Sequence, residues 1–230
     1  MTTDADHGGS QPIELSKPES AVSLGTKRVR MNLGWDPANG AESQIFDLDL
    51  SCLLLDRERR MKSGADLVYY GQRFTKDGCV VHSTDDPSGQ RSDGGPDEWI
   101  DLDLLYLHKS VVEVLFAVTI YDHGGTPVFL SDIENVFVEA KNDVSHARIH
   151  HKRIEGAEYV GKKALEVGSL VRMGQGSEWE FKLSGKTYDQ GLEALIGTYS
   201  DLGYAFRPVK TAPVIDLNAT NIRRSTPPAS

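Results

Sequence analysis

IFDLDLSCLLLD, residues 45–56, reads at period two. Leu48, Leu50, Cys52 and Leu54 fall on one face, and Asp47, Asp49 and Ser51 on the other. That is the pattern of a strand, not of a helix. The two carboxylates on the polar face stand about 7 Å apart at Cα, because successive same-face residues are two rises apart. The spacing suits one cation or two neighbouring ones, and without positive charge the two acids repel. Strand propensity gives no reason to place aspartates there, so the pair asks for another explanation. Cys52, inside the leucine stripe, reads as a small core residue.

Working outward, the same alternation recurs. Arg28 to Leu33 is a half-buried strand ending in the turn Gly34-Trp35-Asp36-Pro37, and residues 12–24 hold two short strands around Pro18. Strands are expected at Ala65–Tyr70, Cys79–His82, Trp99–Asp103, Val136–Ala140 and Ser145–Ile154. Val111 to Ile120, rich in β-branched and aromatic residues, is expected to be central and buried. Ser131 with Glu134 fits a capping box, and Lys162–Met173 with Trp179–Leu183 forms a last hairpin. Leu192, Leu195, Ile196 and Tyr199 share one helical face, with Asp189 as the expected cap. Many short strands with almost no helix predict an all-β fold, an antiparallel β-sandwich with one or two short helices. Residues 12–206 form this domain, 1–11 a disordered N-terminus, and 207–230 a flexible C-terminal tail, read as inert more than as a tether for a partner.

The most charged stretch is HSTDDPSGQRSDGGPDEWIDLD, from His82 to Asp103, where seven acids surround the single Arg91. Pro87, Gly89, Gly94, Gly95 and Pro96 keep its first part out of helix and strand, which frees backbone carbonyls. Asp85, Asp86, Ser88, Gly89, Asp93, Asp97 and Glu98 then supply the oxygen donors that Ca²⁺ prefers, and Asp47 and Asp49 offer a second wall. It is not an EF-hand loop: counted from Asp93, it has no glycine at the sixth position and no glutamate at the twelfth. No cysteine joins it, which argues against zinc.

The chain of 230 residues carries a net charge of −9, which argues against a nucleic-acid backbone as main partner and against constitutive binding to anionic membranes. Two cysteines without a disulfide framework, and an N-terminus without a signal-peptide pattern, point to the cytoplasm. His146, His150 and His151 are interleaved with Arg148, Lys152 and Arg153, a solvated basic hairpin more than a zinc site. Trp35, Trp99 and Trp179 read as core or rim aromatics. A carboxylate-based hydrolase is the competing reading, but so many acids in one loop offer no apolar pocket to separate two pKa values.

Several segments together resemble the TerD-like, tellurium-resistance family. They are ELSKPESAVSLG, VRMNLGWDP, FDLDLSCLLLD, LVYYGQ, VVHSTDDPSG, GPDEWIDLDL, VLFAVTIYD and FKLSGKTYDQGLEAL, in order over residues 13–205. The resemblance implies a β-sandwich that binds one or two Ca²⁺ ions, with ligands drawn from Asp47, Asp49, Asp85, Asp86, Ser88, Gly89, Asp97 and Glu98. This chain departs from the family loop at Thr84 and Asp86, where glycine and asparagine are usual, and within QRSDGGP, where Asp93 stands to compensate for a replaced acid. The family's association with stress resistance, and not with catalysis, implies a non-enzymatic, ion-dependent module with protein partners. A sandwich adaptor that has lost one or both calcium sites is the family-internal alternative.

Overall fold

The computed structural model describes residues 22–36, 46–89, 95–124, 126–174 and 176–201. The predicted N-terminal and C-terminal segments, and the strands before Val22, lie outside these residues. The described strands are β1 (Val22–Ser23), β2 (Arg28–Gly34), β3 (Leu48–Leu55), β4 (Leu67–Val68), β5 (Val80–His82) and β6 (Glu98–Asp103). They continue as β7 (Glu113–Ile120), β8 (Phe137–Asn142), β9 (Arg148–Arg153), β10 (Ala164–Arg172), β11 (Trp179–Leu183) and β12 (Thr187–Tyr188), followed by helix α1 (Leu192–Tyr199). One sheet runs β1-β11-β10-β7-β3-β4 with β12 beside β10; the other runs β5-β6-β2-β8-β9. Every pairing between them is antiparallel. The two sheets face each other as the predicted sandwich.

The strand with the strongest apolar signal, β7, does sit centrally between β3 and β10, and all its residues are buried. Its Val114, Phe116, Val118 and Ile120 enter the core between the sheets, beside Leu48, Leu50, Cys52 and Leu54 of β3. Val29, Met31, Leu33, Ile100 and Leu102 reach that core from the other sheet. Each such side chain contributes about 1.5–3 kcal/mol relative to exposure.

The opposite face of β3 and β7 is not solvent. Leu53, Leu55, Leu115 and Ala117 pack under Leu192, Leu195, Ile196 and Tyr199 of α1, the helical face expected from their spacing. Asp47, Asp49 and Ser51, on the same face nearer the start of β3, are buried too. The period-two reading placed them correctly on the other face, and in the fold that face is interior.

Some local expectations change. The strand expected over Ala65–Tyr70 shrinks to β4, because Gly64–Asp66 forms a 3-10 turn. There the Ser63 hydroxyl accepts from Ala65 N–H (3.2 Å), and the Asp66 carboxylate accepts from Ser63 N–H (2.8 Å). Ser131 is not a cap: the turn Leu130–Asp132 follows Phe129, whose N–H donates to Asp132 at 2.8 Å. Gly191, not Asp189, occupies the cap position of α1, because Lys162 Nζ holds the Asp189 carboxylate at 2.5 Å. The strand expected over Ser145–Ile154 begins only at Arg148, because His146, with φ 59°, belongs to the turn before β9.

Candidate metal centre

The pairing of β3 with β7 sets Leu48 opposite Ile120 and Asp49 opposite Thr119. The ladder continues one step past β7, where Tyr121 N–H donates to the Asp47 carbonyl at 2.9 Å. The acidic loop between β5 and β6 is pinned at both ends: Ser83 N–H donates to Trp99 O (2.8 Å), and Asp97 N–H to Leu33 O (2.9 Å). From this loop comes Asp85. One oxygen from each of Asp47, Asp49 and Asp85 lies within 4.8 Å of the others, with the first two fully buried and Asp85 half-buried.

The loop's other donors are committed to holding its shape. The Asp86 Oδ1 atom accepts from Ser88 N–H at 3.0 Å and from the Ser88 hydroxyl at 2.9 Å, a local turn lock. Next to it Gly89 has φ +62°, and a Cβ there would fall 2.5 Å from the Trp35 indole nitrogen. Only glycine satisfies both demands. Trp35 is the hub beneath the loop. Its backbone N–H donates to Asp97 Oδ2 at 2.9 Å, and its indole N–H to the Phe46 carbonyl at 3.1 Å, one residue before Asp47. Loop exit and strand entry are thereby fixed to the same buried residue, one through its backbone and one through its ring.

Glu98 and His82 do something different. Strand β4 pairs only with Cys52 and Leu53, which leaves the earlier part of that β3 edge without a neighbouring strand. Two side chains from the opposite sheet fill the place. Glu98 Oε2 accepts from Leu50 N–H at 2.8 Å, and His82 Nε2 lies 2.8 Å from Leu50 O. His82 Nδ1 lies 2.8 Å from Ser83 O, and Nε2 is 3.6 Å from Glu98 Oε2. Burial holds the His82 imidazole below its usual range, against the pull of the Ser83 and Leu50 carbonyls.

Of the residues read as ligands, the fold thus gathers Asp47, Asp49 and Asp85 at one point. Asp86, Asp97 and Glu98 each spend at least one oxygen on loop or strand donors, and Asp93 lies outside the described residues. Sequence reasoning missed His123, whose Nε2 stands 2.8 Å from Asp47 Oδ2 and whose ring meets Tyr121 edge-on. The signal was available. If the strand ending at Ile120 pairs antiparallel with the one starting at Leu48, residues 121–123 must flank Asp47.

Beside this group opens a cavity of about 870 Å³. Asp49, Tyr70 and Tyr121 line it, together with residues along α1 from Leu192 to Gly197. Lys163 Nζ donates to Asp122 at 2.7 Å on its wall.

This geometry sits on a sequence whose residues 9–199 match the TerD domain. The chain belongs to the TerD family. The chain is similar to the tellurium resistance protein TerD of Serratia marcescens, 29% identical over 200 residues that cover 86% of this chain and 97% of that protein. It is also similar to general stress protein 16U of Bacillus subtilis, 28% identical over 82% of this chain and 93% of that protein. A solved homologue of telluride resistance protein (TerD) from Streptomyces coelicolor superimposes with a TM-score of 0.62. At 23% identity, covering 75% of this chain and 96% of that one, it supports the sandwich fold. The TerD match also embraces every described element.

Proposed function

We propose that this TerD-family chain binds Ca²⁺ through Asp47, Asp49 and Asp85 and works as a non-catalytic, ion-dependent interaction module in the cytoplasmic stress response. The observation that carries the reading is the convergence of three carboxylates, two of them buried, within 4.8 Å. Ligand oxygens on one Ca²⁺ ion stand at most about 5 Å apart, since each sits ~2.3–2.6 Å from the metal. The donor set is all carboxylate, with no thiolate, which suits a hard cation. Further oxygens, from backbone carbonyls or water, would complete a shell of six to eight. The ion would supply the positive charge that buried carboxylates need. Carboxylates that meet at one point suit an ion better than a pair that must stand apart to act as acid and base on a substrate between them.

Thermal unfolding in Ca²⁺ against chelator tests the reading, with calorimetric titration beside it. At 100 times Kd the ion should add ~2.7 kcal/mol of stability. Asp49→Asn should remove that increment while leaving the chelated protein's melting within a few degrees. Superimposed melting curves and no binding heat at millimolar Ca²⁺ would refute it. Partner capture with and without Ca²⁺ tests the module reading, which identical sets of proteins would sink.

A further inference from the structure

We propose that the cavity beside Asp49 is the docking groove for this chain's own segment 204–210, YAFRPVK, and that docking there competes with the ion. The lining is acidic: Asp49, Asp122, Asp189, Glu193 and Asp201 face it, against the single lysine Lys163. Amines and guanidiniums already bind these carboxylates within the fold. Lys163 holds Asp122 at 2.7 Å, Lys162 holds Asp189, and Arg60 holds Asp201. Among the described residues Glu193 has no such partner, and it is exposed. Two aromatic rings in the lining, Tyr70 and Tyr121, stand edge to face, 5.9 Å between centroids. A groove with carboxylates and aromatic rings selects basic and aromatic side chains.

The segment that follows has that chemistry and starts at the rim. Asp201 lines the cavity, and residues 202–230 continue from it. They carry Arg207, Lys210, Arg223 and Arg224 against one acid, Asp216, with Tyr204 and Phe206 ahead of the first arginine. In an extended chain Arg207 reaches at most about 20 Å from Asp201, so the docking is local. A tether this short gives an effective concentration of about millimolar or more, enough for a modest intrinsic affinity to fill the groove. The competition follows from Asp49, which belongs both to the groove and to the carboxylate trio. This consequence rests on the calcium reading; the docking does not.

Two measurements on the full chain decide it. Amide exchange is compared in chelator between the parent and the double variant Arg207→Gln/Lys210→Gln, neither residue being part of the carboxylate trio. The parent should show slower exchange over residues 189–199 by about fivefold, the factor for a groove occupied in four of five molecules. The same factor should appear as tighter Ca²⁺ binding in the variant. Superimposed exchange overturns the docking, whatever calcium does. Protection that grows with protein concentration also overturns it, because the occupant is then a second copy. If neither protein binds Ca²⁺, the calcium reading fails and the exchange comparison still decides the docking.

Discussion

Hydrogen bonds to buried backbone donors explain why the acids of the loop do not all gather beside Asp47 and Asp49. Glu98 stands at the start of β6, where its carboxylate replaces a missing strand for Leu50 N–H. Removing it leaves a buried donor without an acceptor, a cost of about 1–3 kcal/mol. Glu98→Ala should therefore lower the urea midpoint in chelator, before any ion is involved, and an unchanged midpoint would show that Leu50 N–H finds another acceptor. The residue types at the site were readable from the sequence. Their division of labour was not: Asp85 and Glu98 are both acids in one loop, and what separates them is which backbone donor each meets after the sheets have packed. Gly89 is the instructive middle case. It reads as a carbonyl donor in a broken loop, whereas φ +62° and the Trp35 ring make it a packing requirement as well.

Among the elements, α1 closes the face of β3 and β7 that lies away from the sandwich core. Its apolar spacing was legible, as were the periods of β2, β3, β6, β7 and the β10–β11 hairpin. Caps and short strands were not, because Asp189 had a lysine on β10's approach to bind and Ser131 had a competitor in Asp132. Nor could any local pattern reveal that the same face of β3, at Leu53 and Leu55, is covered by a helix far along the chain. That helix is anchored by a polar contact at its end. Tyr199 donates to Glu166 Oε1 at 2.7 Å, and Tyr188 donates to the same oxygen. Burial, together with the Glu166 bond, pushes the Tyr199 phenol up to about 12 from an ordinary 10.0. The folded state therefore keeps a proton that the unfolded chain loses as pH rises above about 10. Stability should fall with pH between about 10 and 12, and Tyr199→Phe should flatten that decline while weakening the protein at neutral pH. A parallel pH dependence in parent and variant would remove Tyr199 from the explanation.

For the molecule as a whole, the two sheets share one core, and both cysteines lie in it. Burial pushes the Cys52 thiol far up and the Cys79 thiol up to about 11. At pH 8 a thiol at 11 is ionised about two orders of magnitude less than an ordinary one. A thiol-specific dye should label Cys52 only at the global unfolding rate, and fast labelling of the native protein would mean that the sheets part more easily than their packing implies. No helix among the described residues is long and apolar enough to cross a membrane. The closure of β3 by Glu98 and His82 has a different kind of consequence. A strand edge shielded by two side chains is a latent template for another molecule's strand. When that shield lifts, the first symptom would be self-association through β3, with turbidity at concentrations and temperatures where the circular dichroism signal is still native.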